Sequence, residues 1–592
     1  IGVSAASLAV LQRYPEPNDF TLGDGLNIVG YRFTAPLALR WNTYISKFDY
    51  NLDDKHSFFW RGQMQNDRSI DPPQFPGQPP RIVRLNNAKG HVLGHTALIK
   101  PTFISTFRYG LTRQSFENTG VQSESAISYR NIDDLNALTR GVSRQLPVHN
   151  ITQDFSWTKG SHDIRFGGVM KWVENRSRNF NNSFNAAFTN LSWLRGTGAD
   201  IQPADLLAAN RVAYGDAMMA VMGIVSQGNA RFNYQVDGTV IPLGAPVRRD
   251  FRNEEYEMYI SDSWRVKRNL TVTAGLRYSL MPPIYEANGQ QLSSNIPIGD
   301  WFNTRGGLAA QGRGQADAGI ISFVRHQDGR PIYPYIKNNL APRIAVAYSP
   351  GADSGLVKWL TGGPGKSTIR AGWGMYYDVI GQPLTFTYDA NAFGLATQIT
   401  NPAGQLTALT APRFTGLTSL PTQLFPTQAP PGGAPSTPRQ GLFAITNSID
   451  DKLKMPYVMR MNFSMGREFK GGLFIEGSYV SSLSRRSLIN RDLAMPTNLI
   501  DPGSNQSYFQ AATYLAQALQ AGTPVGSIQA QPFFENFFRN IAGGGRNATQ
   551  NFYQNYVRFY PNDFTSALAD GDQFCDPSCG IRPNLMLNSQ FS

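Results

Sequence analysis

The sequence predicts an all-β protein, a large antiparallel transmembrane β-barrel with long extracellular loops that carry short helices. Three observations lead there. Paired segments alternate apolar and polar residues; many of those segments exceed the roughly 5–6 residues of an average soluble strand; and short turns alternate with very long connections, as a barrel with tight periplasmic turns requires.

The hairpins follow in chain order. Tyr44, Phe48, Tyr50 and Leu52 share one face against Lys47, Asp49 and Asn51, and the chain turns at residues 53–56. It returns with Phe58, Trp60, Gly62 and Met64 opposite Phe59, Arg61 and Gln63. A second pair runs through Phe155 and Trp157, turns at residues 159–162, and returns with Ile164, Phe166, Gly168, Met170 and Trp172. The third joins Tyr256, Met258, Ile260 and Trp264 to Leu270, Val272, Ala274, Leu276 and Tyr278. A fourth sets Ile344, Val346 and Tyr348 before Ile369, Ala371, Trp373, Met375 and Tyr377. The fifth pairs Met459, Met461, Phe463 and Met465 with Leu473, Ile475, Gly477 and Tyr479.

On the polar face of these strands, Arg165, Arg277, Arg370, Arg460 and Glu476 are expected to line the lumen. Aromatics at strand ends, Trp157, Trp172, Trp264, Tyr278, Tyr376 and Tyr377, are expected to form the interfacial girdle. A soluble β-sandwich also alternates, but strand length, loop asymmetry and these end aromatics favour the membrane barrel. Residues 65–90, 174–250, 281–340, 379–455 and 493–592 are the long connections. Helical spacing over Ala204–Val225 and Tyr508–Ala521 predicts helices packed within them.

Composition agrees. In 592 residues, charged side chains make up 16%, below the roughly 25% of soluble domains, while 56 Gly and 38 Pro supply turns. No apolar run approaches the roughly 18 residues of a membrane-spanning helix, which leaves strands as the means of crossing. The net charge of +12 is dispersed in short clusters such as Arg265 to Arg268, so no nucleic-acid partner is expected.

Candidate chemistry is sparse. Gly365-Lys366-Ser367 lacks the glycine of a phosphate-binding loop, since Leu360 stands there, and it precedes a strand instead of opening a helix. His91 and His95 share a strand face but offer two ligands at most, so no metal site is expected. Nothing resembles a serine triad or a supported carboxylate pair. Neither catalytic residues nor a cofactor is therefore expected. Cys575 and Cys579, in a Pro/Gly-rich segment without further ligands, favour a small-loop disulfide over a metal site.

Several stretches resemble TonB-dependent receptors of the Oar-like, carboxypeptidase-regulatory-like-domain-containing branch: Tyr259-Ile-Ser-Asp-Ser-Trp264 with Leu270 through Tyr278, Asn339-Leu-Ala-Pro-Arg343, Gly365 through Asp378, Pro456-Tyr457 through Val480, and Asn490-Arg-Asp-Leu493. Lys159-Gly-Ser-His162 with Phe166-Gly-Gly168 fits the same order. The resemblance implies a bacterial outer-membrane transporter with a barrel of about 22 strands and a plugged lumen. Its partners would be outer-membrane lipid, an unidentified surface substrate and a TonB-type energy transducer reached through an N-terminal part. Residues 1–592 then read as the barrel domain, incomplete at both ends, without signal peptide, plug or regulatory-like domain. The alternative is a surface-binding or adhesion barrel without active transport.

Overall fold

The computed structural model describes residues 2–557 apart from 24, 27, 121–123, 137–138, 207–209, 311–321, 326–330, 382–394, 432, 435–448, 451 and 490–499; beyond 557 it describes Ala567. Among the described residues, strands hold 45% and helices 17%. The alternating segments form one antiparallel sheet from β1 (Ala38–Asn51), β2 (His56–Ile70), β3 (Ile82–Asn86), β4 (Lys89–Lys100), β5 (Phe103–Gly120), β6 (Val142–Lys159) and β7 (His162–Asn179). It continues through β8 (Val247–Lys267), β9 (Leu270–Leu280), β10 (Asn339–Tyr348), β11 (Ser367–Tyr377), β12 (Tyr457–Glu468) and β13 (Phe474–Arg485). Neighbours in sequence are neighbours in space, and β3 with β4 lies between β2 and β5. Among the described residues, β1 pairs only with β2 and β13 only with β12, so each outer edge presents unpaired backbone groups.

All five expected hairpins are present, and β4–β5 is a sixth that alternation did not reveal. Its apolar face carries His91, Leu93 and His95 while Gly90, Val92 and Gly94 lie opposite, so the polarity contrast is weak. Several strands also run further than expected. β7 pairs with β8 as far as Asn179 and Val247, inside the stretch read as loop.

Turn chemistry is local at one end of the sheet. Asp53 closes β1–β2 by accepting from the backbone N–H of Lys55 at 2.8 Å and of His56 at 2.7 Å. Connections at this end are short except that between β10 and β11; those at the other end are long.

The wall has almost no core. Its apolar face is exposed, with Met258 62%, Ile260 55% and Phe463 48% accessible, and the buried apolar clusters are built mainly from the connections. A second sheet forms from Ala126–Tyr129, Ala186–Thr189, Gln227–Tyr234, Val240–Ile241 and Ala396–Thr400, segments of three different long connections. Helices α1 (Ala5–Leu11) and α2 (Arg211–Met222) join it: Ser7 Oγ lies 2.8 Å from Tyr129 Oη and donates to the Ala220 carbonyl. Within the predicted spans, α2 and the later Tyr508–Gln520 helix both form, each shorter than expected. Helices α3 (Ile298–Ala310) and α4 (Gly355–Thr361) lie in the connections flanking β10.

Following β13, α5 (Tyr508–Gln520), α6 (Pro532–Phe537) and α7 (Ala548–Asn555) enclose Phe533, Phe534, Phe538 and Phe552. Asp501 ties this unit together, accepting from the Ser504 N–H at 3.0 Å and from Asn536 Nδ2 at 2.7 Å. Burial works to raise its pKa, but the Ser504 and Asn536 hydrogen bonds outweigh that and hold it below the ordinary carboxylate value. Because the folded value is depressed, its stabilisation is present above the unfolded pKa of about 3.9 and fades as pH falls through the lower folded value. Amide protection over residues 501–557, measured against the intrinsic exchange rate at each pH, should therefore fall on acidification below about pH 4, and Asp501→Asn should flatten that dependence. An unchanged acid profile would refute the role of Asp501.

Candidate functional site

The register separates two faces. One carries Trp157, Phe166, Met170, Met258, Ile260, Trp264, Leu276, Ile344, Trp373, Met461 and Tyr479, joined by direct cross-strand pairs or by alternation within a strand. Every expected lumen residue falls on the opposite face: Arg165 opposite Ser156 and Ser261, Arg277 opposite Tyr259, Arg370 opposite Ser464, Arg460 opposite Gly374, and Glu476 opposite Gly466. This separation needs only the two-residue period of a strand.

Aromatic side chains mark two rows on the apolar face. Trp157 and Trp264 stand next to the short turns, while Trp172, Tyr256, Tyr278, Tyr377 and Tyr457 stand towards the long connections. Trp264 and Tyr256 are eight residues apart in β8, roughly 26 Å along the strand and roughly 20 Å once tilted, comparable to the apolar band of an outer-membrane barrel.

Tyr376 is a correction to the expected girdle. As the neighbour of Tyr377 it must point the other way, and it lies on the arginine face, with the Arg343 guanidinium 4.3 Å and that of Arg460 6.0 Å from its ring centre. Gly374, paired with both arginines, makes room for it: a Cβ there would approach Tyr376 Cε2 and Arg343 Cγ to 3.2 Å. The cue in the sequence was this adjacency, together with a glycine two positions earlier.

The polar face is electrostatically uneven. On β6–β9 several of its charges are paired. Tyr259 Oη donates to Asp154 at 2.6 Å, Arg277 stacks 5.2 Å over Tyr259 and pairs with Glu257, and Ser279 Oγ donates to Glu257 at 3.2 Å. Lys171 meets Glu255 at 3.0 Å, and Arg165 meets Asp163 at 3.1 Å. On β10–β12, by contrast, Arg343, Arg370 and Arg460 have no acidic partner among the described residues. Arg343 and Arg460 flank the Tyr376 ring, and Arg370 stands six residues from Tyr376 on the same face of β11; together they form a cationic stripe suited to an anionic group, because guanidinium forks match carboxylate and phosphate oxygens. Arg343, the nearest to the ring, was missed because Pro342 and Ala341 blur the alternation around it.

His91 and His95 do share a face, but His95 stacks on Phe58 at 4.4 Å and meets His56 at 3.1 Å. Among the described residues no group of three metal-ligating side chains occurs. Cys575 and Cys579 lie outside the described residues.

Residues 2–559 match the family model described as an outer membrane beta barrel domain. Among solved structures, the chain is similar to the outer membrane transporter YddB from Escherichia coli, at 12% identity and a TM-score of 0.40, covering 82% of this chain and 44% of that one. It is also similar to the alcaligin outer membrane receptor FauA from Bordetella pertussis, at 9% identity and 0.35, covering 79% and 47%. The ferripyoverdine receptor of Pseudomonas aeruginosa gives 8% identity and 0.35, covering 75% and 41%. The chain thus spans less than half the length of these structures. No curated protein matches it.

Proposed function

Since this chain belongs to the outer membrane beta-barrel domain family and resides in the bacterial outer membrane, we propose that it forms part of the wall and surface loops of a TonB-dependent receptor of the Oar-like branch, one that binds an anionic substrate at the cell surface and admits it by energy-coupled passage. The observation that carries the proposal is the cationic stripe of Arg343, Arg370 and Arg460 on the face opposite the exposed apolar band. A lipid-facing exterior and a charged interior are what a conducting wall needs. The ordered motifs from Tyr259 to Val480 support the receptor branch.

In this reading, Arg165, Arg277, Arg370, Arg460 and Glu476 face the lumen, and Trp157, Trp172, Trp264, Tyr278 and Tyr377 form the girdle. The twelve strand positions from β1 to β13 are an arc of a closed barrel, whose β1 and β13 edges pair with further strands. Plug and transducer contact belong to parts of the protein beyond this chain.

The test follows solutes in the medium of cells making the full-length protein, by mass spectrometry, with and without a proton gradient. An anionic solute should be depleted only by energised cells. Replacing Arg343, Arg370 and Arg460 by Gln should raise the half-saturation concentration at least about tenfold, equivalent to ~1.4 kcal/mol. Equal retention of the solute at the surface of de-energised cells would instead establish adhesion and refute transport.

A further inference from the structure

Five of the six connections at the short-turn end are tight, but residues 349–366 between β10 and β11 contain α4, with sequence Gly-Leu-Val-Lys-Trp-Leu-Thr. Four of its seven residues are large, apolar and exposed: Leu356 at 70%, Val357 at 50%, Trp359 at 72% and Leu360 at 47%. Leu356, Trp359 and Leu360 have the i, i+3, i+4 spacing of one helix face. An unpaired apolar surface of this kind is costly in water.

This helix is nevertheless held in place. Arg467 Nη1 donates to the Trp359 and Leu360 carbonyls, each at 2.9 Å, and Ser367 Oγ donates to the Thr361 carbonyl at 2.6 Å. Gly362, at φ 81°, ends the helix in the left-handed conformation that glycine adopts without strain. Thr361 is buried, so the end of α4 is docked while its apolar side chains point away from the protein.

The two anchoring residues fix which side of the sheet this happens on. Ser367 pairs with Arg467 and Ile369 with Met465, so by the two-residue period Arg467 and Ser367 belong to the apolar face. α4 therefore continues the lipid-facing band past its turn-end row, on the face that also carries the exposed Phe469 and Ile475. Lys358 in its last turn has no acidic partner among the described residues.

We propose that α4 is an interfacial anchor lying in the phospholipid leaflet at the short-turn, periplasmic end of the barrel. Leu356, Trp359 and Leu360 enter the boundary between headgroups and acyl chains, as short apolar helix faces do at about 5–10 Å depth. Trp359 supplies the amphipathic ring favoured at that level. Lys358 reaches up to a headgroup phosphate. The proposal rests on membrane residence and strand orientation, and is independent of whether the protein transports anything.

The test uses the full-length protein with Cys575→Ser and Cys579→Ser, folded into vesicles of phosphatidylethanolamine with a minor share of phosphatidylglycerol. Single cysteines at Leu360→Cys, Val357→Cys and Lys358→Cys carry a nitroxide label, and heat-modifiable gel mobility verifies the fold of each. Collision with oxygen, which partitions into lipid, should exceed collision with a water-soluble nickel chelate severalfold at position 360, with nickel access higher at 358. Equal nickel access at 358 and 360 would place the helix in water and overturn the proposal. Shielding of 360 from both reagents would overturn it too, by showing a protein partner or a second copy on the helix. If Leu360→Cys fails to fold, the same comparison is read at Val357→Cys.

Discussion

Ile260→Arg is expected to lower the stability of the membrane-inserted sheet by about 2–4 kcal/mol, the cost of an arginine on the lipid face at the bilayer midplane. Ile260 stands four residues from Trp264 and four from Tyr256 in β8, midway between the two aromatic rows, with Phe166 and Leu276 beside it across the strands. Asp262, two residues along on that face, is already paired with His162 at 2.7 Å. The companion substitution Val169→Arg changes a residue on the other face, opposite Glu257, and should move stability by no more than about 1 kcal/mol. Urea titration of folding into phosphatidylcholine vesicles, read by heat-modifiable mobility, measures both. Equal losses would mean that the two faces meet the same solvent, and the division of the sheet would be wrong.

Phe534→Ala should have an effect of similar size in a different place. Its ring is fully buried, stacked on Phe552 at 4.4 Å and edge-on to Phe533 at 5.5 Å, within the only apolar core shared by α5, α6 and α7 among the described residues. Truncating such a ring costs about 3–5 kcal/mol, the larger part of what a unit this small can hold. Hydrogen exchange over residues 507–557 should approach that of an unfolded chain, while β12 and β13 keep their protection. Loss of protection in both regions would show that the helical unit and the wall unfold together.

The wall was legible because its residues differ sharply across each strand: Ile164, Phe166 and Met170 alternate with Asp163, Arg165 and Lys171, the period of a strand with two unlike faces, and the length of the strands separates a barrel from a sandwich. The β4–β5 hairpin was not, since histidines on its apolar face and glycines on its polar face reduce the contrast that alternation depends on. Tyr376 departs from the expected girdle because parity, not nearness to the strand end, sets the face of a strand residue, and adjacent residues have no choice of face. Of the arginine stripe, Arg370 and Arg460 could be read directly, but Arg343 emerges only from the register that sets it across Gly374. The helices α4, α6 and α7 span eight residues or fewer, too short for a 3.6-residue period to declare itself. How the connections combine was beyond any local pattern, because partners such as Arg231 and Gln398 are far apart in the chain.

That combination has a practical consequence for anyone raising reagents against the cell surface. The small sheet interleaves Ala126–Tyr129, Ala186–Thr189, Gln227–Tyr234 and Ala396–Thr400, with the first two strands parallel. An antibody selected on it will recognise a discontinuous epitope and ignore synthetic peptides copied from any one loop. An affinity tag spliced into one of those strands will disturb the others, whereas the turn at Asp237-Gly238, outside the ladder, should accept an insertion without loss of antibody binding.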